Sequence, residues 1–166
     1  MVKSKDGLII RPMQESDNNT IAQLIRQVLS EHHANKPGTA FFDKNLDQLY
    51  QTFMIPGSAY FVAERDHTIV GGGGIYPTPG LPEGYCELVK VYLHKDARGS
   101  GWGTRLIAAC FSAAKKIGYT HMYLETMPEL SKAVQVYERL GFKHLTRAMG
   151  RSGHFSCNIW MVCEII

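Results

Sequence analysis

The stretch Cys86-Glu87-Leu88-Val89-Lys90-Val91-Tyr92-Leu93, followed after four intervening residues by Arg98-Gly99-Ser100-Gly101-Trp102-Gly103-Thr104, decides how this chain folds. The first half reads as a strand. The second half places three glycines at alternate positions, so the backbone can turn tightly and bring its N–H groups close together. A helix follows from about Gly101 to Lys116, with Leu106, Ile107, Cys110 and Ala113 on one face and Gly118 just past its end. Tyr119 to Glu125 then reads as another strand. Strand, helix, strand in that order implies a parallel pair joined by a right-handed crossover.

Outward from this unit the pattern changes. Ala59 to Glu64 and Thr68 to Tyr76 are strand-like runs at hairpin spacing, separated by Arg65-Asp66-His67. Gly71 to Gly74 lies inside the second run, where glycines mark a bulge or a close backbone approach more readily than a phosphate cradle. Near the start, Leu8-Ile9-Ile10 before Arg11-Pro12 reads as an edge strand. Ser16-Asp17 is positioned to cap a helix carrying Ile21, Leu24, Ile25, Val28 and Leu29. Leu46, Leu49, Tyr50 and Phe53 give a second, shorter helical stripe, stopped near Pro56-Gly57. Beyond the central unit, Thr126-Met127-Pro128-Glu129 resembles a capping box. It opens a helix with Ala133, Val134, Tyr137 and Leu140, ended by Gly141. Phe142 to Met149 and Phe155 to Glu164 read as final strands joined by Gly150-Arg151-Ser152-Gly153.

The expected fold class is therefore α+β: a mixed, mostly antiparallel sheet of about seven strands, flanked by about four helices. With 166 residues, 45% apolar and 20% charged, the chain suits one globular domain over residues 1–166. It has no apolar run of transmembrane length, and MVKSKDGLIIRPM lacks the apolar core of a signal peptide. The net charge of +3 is interspersed, unlike the basic stripe of a nucleic-acid binder, so neither nucleic acid nor membrane is expected as a partner. Cys86, Cys110, Cys157 and Cys163 form no C-x-x-C pair and the histidines show no ligand spacing. Free thiols, no metal and a cytoplasmic location are expected.

The loop after the motif strand carries the chemistry. Its amides converge at a helix N-terminus, where unsatisfied donors and the macrodipole both favour an anion such as a phosphate or pyrophosphate. It is not a Walker loop, because Gly103 is followed by Thr104-Arg105. Nor is it a dinucleotide fingerprint, because the glycines are spaced Gly99-x-Gly101-x-Gly103.

Arg98-x-x-Gly101-x-Gly103 resembles the Q/R-x-x-G-x-G/A motif of the GNAT family of N-acetyltransferases. Tyr137-Glu138-Arg139-Leu140-Gly141-Phe142 is similar to that family's second signature, with a strand between the two. The resemblance covers essentially the whole chain. It implies a central pair of splayed parallel strands, with acetyl-CoA as cosubstrate. Amides from Gly99, Ser100, Gly101, Trp102, Gly103 and Thr104 would take the pyrophosphate beside Arg98. Val91 and Leu93 would bond the pantetheine arm as a pseudo-strand. A bulge there would leave an amide free for the thioester carbonyl. Tyr137 matches the acid proposed to protonate the thiolate, and Glu87 lies where several members place a general base. Many members carry an asparagine about two turns before the tyrosine; here Leu130-Ser131 stands there, with Ser131 as a candidate replacement.

The reaction implied is direct acetyl transfer to a primary amine of a small molecule. A protein N-terminus or lysine as acceptor, or a coenzyme A-binding module without turnover, are the alternatives. A nucleophilic pair of Cys157 and His154 lacks a third partner. The segments Glu31 to Asp43 and Pro77 to Gly84, with the Gly150 to Gly153 turn, are expected around the acceptor. The terminal strands could pair across a homodimer.

Overall fold

The computed structural model describes residues 4–166, so the expectations for the first three residues lie outside the described region. Seven strands form one sheet: β1 (Leu8–Pro12), β2 (Ala59–Arg65), β3 (Thr68–Tyr76), β4 (Tyr85–Leu93), β5 (His121–Thr126), β6 (Lys143–Leu145) and β7 (Ile159–Glu164), in the order β1-β2-β3-β4-β5-β7-β6. Only β4 and β5 are parallel; every other pairing is antiparallel. Four helices accompany the sheet: α1 (Asn18–Glu31), α2 (Leu49–Thr52), α3 (Trp102–Ile117) and α4 (Ser131–Arg139).

The apolar periodicity explains the layers. Ile21, Ile25 and Leu29 of α1 pack on Tyr60 and Val62 from one face of the sheet. Ile107, Cys110 and Ala114 of α3, with Val134 and Tyr137 of α4, pack on Ile75, Cys86, Leu88, Met122 and Leu124 from the other. Successive strand residues face opposite ways, so Glu87, between Cys86 and Leu88, points to the α1 side.

Two irregularities shape the centre. The β4–β5 ladder holds only Tyr85 with His121, Cys86 with Met122, and Glu87 with Tyr123, although both strands continue further. The strands part beyond Glu87. In addition, the β3–β4 register jumps between Gly74–Val89 and Gly72–Tyr92, leaving Lys90 and Val91 without partner residues in β3. Lys90 has a φ of 51°, the left-handed conformation of a bulged residue. The Tyr60 hydroxyl donates to the Lys90 carbonyl at 2.8 Å and pins this bulge.

Gly71–Gly74 lies within β3 and makes room for that tyrosine. A Cβ on Gly74 would stand 2.5 Å from the Ala59 carbonyl oxygen and 2.6 Å from the Tyr60 ring. Gly74→Ala is therefore expected to destabilise the protein by about 1–3 kcal/mol. Chemical denaturation would measure this; an unchanged midpoint and slope would show that the run is dispensable for packing.

Several boundaries differ from the sequence reading. Asp17 does not cap α1; it accepts from the Gln14 amide at 2.7 Å and from Arg11 at 2.8 and 3.0 Å. The second helical stripe is split into a 3-10 turn, Leu46–Gln48, and the four-residue α2; Leu46 and Leu49 are fully buried, and Tyr50 and Phe53 pack against the core partly buried. Thr126 is not a cap, since it pairs with Ile159; the turn Pro128–Leu130 intervenes before α4. β6 and β7 are shorter than expected. The residues between them leave the sheet to meet other loops, with the Arg151 amide on the Pro79 carbonyl and the Ser156 amide on the Gly38 carbonyl.

Candidate active site

The parting of β4 from β5 opens a cleft of about 920 Å³ through the sheet. Val28 of α1 and His32 just past its end line it on one side, and Ile107 and Tyr137 on the other. Of the residues singled out from sequence, Glu87, Val91, Leu93, Arg98, Gly99, Gly101, Trp102, Gly103, Thr104 and Tyr137 all line this cleft. Ser100 is exposed beside it and does not line it.

The start of α3 forms one end. Gly101 precedes the first helical residue with φ 77°, and no side chain caps the helix. The first intrahelical bond runs from the Arg105 amide to the Gly101 carbonyl, so the amides of Trp102, Gly103 and Thr104 have no partner within the helix. A Cβ on Gly99 or Gly101 would meet nothing within 4 Å. This cradle fits a pyrophosphate: free donors, space, and the positive end of a sixteen-residue helix.

The side chains around the loop act as props. Arg98 does not reach into the cleft as a free cation. Its Nε and Nη2 donate to the Leu93 carbonyl at 3.1 and 2.9 Å, and Nη2 pairs with Glu31 at 3.1 Å. Trp102 is buried, its indole N–H donating to Asp6 at 2.8 Å with Arg65 stacked over the ring. What Trp102 leaves for a ligand is its backbone amide.

Glu87 and Tyr137 stand where the strands diverge. Glu87 is only 3% exposed, and burial pushes its carboxyl up to about 7, with the Thr78 hydroxyl bond opposing and nearby Glu125 adding to the rise. Thr78 donates to Oε1 at 2.6 Å. The other oxygen has no partner among the described residues; since no fully buried polar side-chain atom is left unpaired, it faces the cleft. The same reasoning places the Tyr137 hydroxyl. Tyr137 is 8% exposed, its ring meets Phe142 edge-on at 5.8 Å, and its hydroxyl bonds to no described residue. Burial, with Cys110 close by, pushes this hydroxyl well above the ordinary tyrosine value. It keeps its proton.

Sequence reasoning missed the rest of this end. Asp43 receives His154 Nε2 at 2.9 Å and Lys90 Nζ at 2.8 Å; burial pushes its carboxyl up, but these partners hold it below the usual range. Glu125 lines the cleft on the β5 arm and accepts from the Tyr123 hydroxyl at 2.6 Å and from Ser152. A signal existed for Glu125, two residues beyond Tyr123 and so on the same sheet face. His154 faces Asp43 rather than Cys157, and burial pushes the Cys157 thiol up to about 12. That thiol is no activated nucleophile. Ser131, proposed in place of the asparagine, is exposed and lines the cleft on α4.

A sheet forked at a parallel pair, with an uncapped helix start at one end, is the arrangement found in acyl-transferring enzymes of one large family. The model of the acetyltransferase (GNAT) family matches residues 24–142. The chain belongs to this family, and its class of enzyme is the N-acetyltransferases. It is 40% identical over 159 residues to the uncharacterized N-acetyltransferase YjgM of Escherichia coli (strain K12), covering 95% of each chain. Human N-acetyltransferase 8B is 28% identical over 117 residues, 66% of this chain and 52% of that protein. Among solved structures, a GNAT acetyltransferase from Staphylococcus aureus superposes with a TM-score of 0.84 at 18% identity, over 96% of this chain and 99% of that one. Salmonella typhimurium yncA, solved with its cofactor acetyl-CoA, gives 0.75 at 18% identity over 96% and 94%. At such identities the likeness is one of fold.

Proposed function

We propose that this chain transfers the acetyl group of acetyl-CoA directly to a primary amine of a small molecule. The observation that carries the reading is that a carboxyl raised to about 7 and an unpartnered, protonated phenol line one cleft at the fork of the sheet. Acetyl-CoA, when bound, supplies an activated acetyl thioester. The cleft fits it: free α3 amides for the pyrophosphate, the unpaired β4 arm for the pantetheine, and the bulge at Lys90-Val91 for a carbonyl oxygen.

The chain's residues divide the remaining work. Glu87 takes the proton that the amine loses as its nitrogen bonds to the acetyl carbon, and a carboxyl near 7 suits that task at neutral pH. Tyr137 gives its proton to the departing sulfur. Asp43 and His154 close the acceptor end from the loop side, and the Ser156 amide ties that loop to Gly38. Such a tied enclosure favours a small acceptor over a protein surface. Four free thiols suit a reducing compartment, so we place the activity in the cytoplasm.

The loop assignment has a direct test. Gly101→Val forces a β-branched residue to φ 77°, and Gly103→Val places a Cβ 3.3 Å from Leu93 in the first helical turn. Both are expected to weaken coenzyme A binding about tenfold or more, each tenfold being about 1.4 kcal/mol. Calorimetry on folded variants reads this, and unchanged affinity in both would overturn the loop's role.

A further inference from the structure

Besides Glu87, the acceptor end holds a carboxylate that has no ion pair among the described residues and no part in the transfer reaction, Glu125. Glu87 and Glu125 both line the cleft on the same face of the sheet, one at the fork and the other one pleat further along β5. Neither has an ion pair among the described residues. The neighbouring cations form their ion pairs elsewhere: Lys90 and His154, which also act on Glu87 from a distance, pair with Asp43, and Arg98 with Glu31. Lys132 and Arg139 also line the cleft but stand on α4, against the opposite face.

Glu125 is built to stay in place. Each carboxylate oxygen accepts one bond, from the Tyr123 hydroxyl at 2.6 Å and from Ser152, and the Tyr123 oxygen itself accepts from the Met149 amide at 3.0 Å. The β6–β7 loop thus orients a carboxylate that has no ion pair among the described residues. Glu87, more than nine-tenths buried, turns an oxygen with no partner among the described residues into this same face of the cleft, which marks the space between the two carboxylates as one meant for a ligand.

From this juxtaposition we infer that the acceptor is a primary amine bearing a second cationic group, an alkyl diamine in its simplest form, with the second charge held by Glu125. The inference rests on the acetyl-transfer reading above. A monocation does not satisfy the site through the reaction. Its ammonium must shed a proton to solvent before the nitrogen can attack, so its only charge is gone before the step in which Glu87 takes the second proton, and Glu125 is left without a cationic partner in a partly buried place. A dication gives one nitrogen to the chemistry and keeps the other charge on Glu125 throughout.

The test compares 1,4-diaminobutane with n-butylamine as acceptors, in the parent and in Glu125→Gln, which keeps side-chain length and an oxygen for Tyr123. In the parent, kcat/KM for the diamine should exceed that for the monoamine by about tenfold or more, carried mainly by KM; in Glu125→Gln the ratio should fall towards one. Calorimetric binding of the diamine to the enzyme loaded with coenzyme A supplies a readout independent of turnover. Equal use of both amines by the parent, or a ratio unchanged in Glu125→Gln, overturns the inference while leaving amine acetylation intact. Diamine binding that depends on Glu125, in a protein that acetylates no amine, supports the site and refutes the acetyl-transfer reading instead.

Discussion

Glu87→Gln is expected to lower acetyl transfer by about 10²–10⁴-fold, the usual cost of losing a general base, while coenzyme A affinity stays nearly unchanged. The pH dependence identifies the cause. Burial holds this carboxyl near 7, so in the parent kcat/KM should rise as pH increases through that value and Glu87 ionises. The variant should lack this limb and recover part of its rate at high pH, where the amine is already neutral. A second consequence concerns stability. A carboxyl raised from 4.5 to about 7 in the folded state keeps its proton after the unfolded chain has lost it. Stability therefore falls as pH rises from about 4.5 to 7, and the full penalty, on the order of 3 kcal/mol, remains above that window. Glu87→Gln should thus be more stable than the parent above pH 7, and the gain should vanish below pH 4.5. Matching pH–rate profiles would remove Glu87 from the reaction and leave a water chain as the base.

Tyr137→Phe is expected to slow single-turnover acetyl transfer by roughly one to three orders of magnitude, within or just below the range for general acids. Thiolate leaves fairly well unaided, which limits the loss. Phenylalanine preserves the edge-on contact with Phe142 and removes only a hydroxyl that has no partner among the described residues, so folding should be unaffected. Because burial holds the phenol protonated across the working range, Tyr137 should contribute no descending limb near neutrality. The single-turnover rate is the decisive quantity, since slow product release can hide a chemical defect in kcat. An identical rate in parent and variant would reduce Tyr137 to a core residue.

The half of the molecule that grips the cosubstrate was legible because it is local. The motif strand, the alternate glycines, α3 with Gly118 beyond it, and Tyr137 on the following helix lie within one continuous stretch whose periodicities are unmistakable. The bulge was anticipated as a need, yet its cause was not: Tyr60 reaches Lys90 from thirty residues away through the gap that Gly72 and Gly74 leave. The acceptor end was opaque for the same reason. Asp43, Thr78, Glu125, Ser152 and His154 are scattered along the chain, four of them outside regular elements, and no period relates them. The loops bearing them were expected around the acceptor. Which side chains meet there follows from long-range contacts such as that of Arg151 with Pro79, which leave no mark on local sequence.

The central claim is that this cleft moves an acetyl group from sulfur to nitrogen. Incubating the protein with acetyl-CoA and 1,4-diaminobutane, and following coenzyme A release together with the amine by mass spectrometry, tests it most directly. The account predicts one N-acetyl product for each coenzyme A released, with both falling together in Glu87→Gln and Tyr137→Phe. Coenzyme A bound tightly with no acetylated product from this or any other primary amine would contradict it.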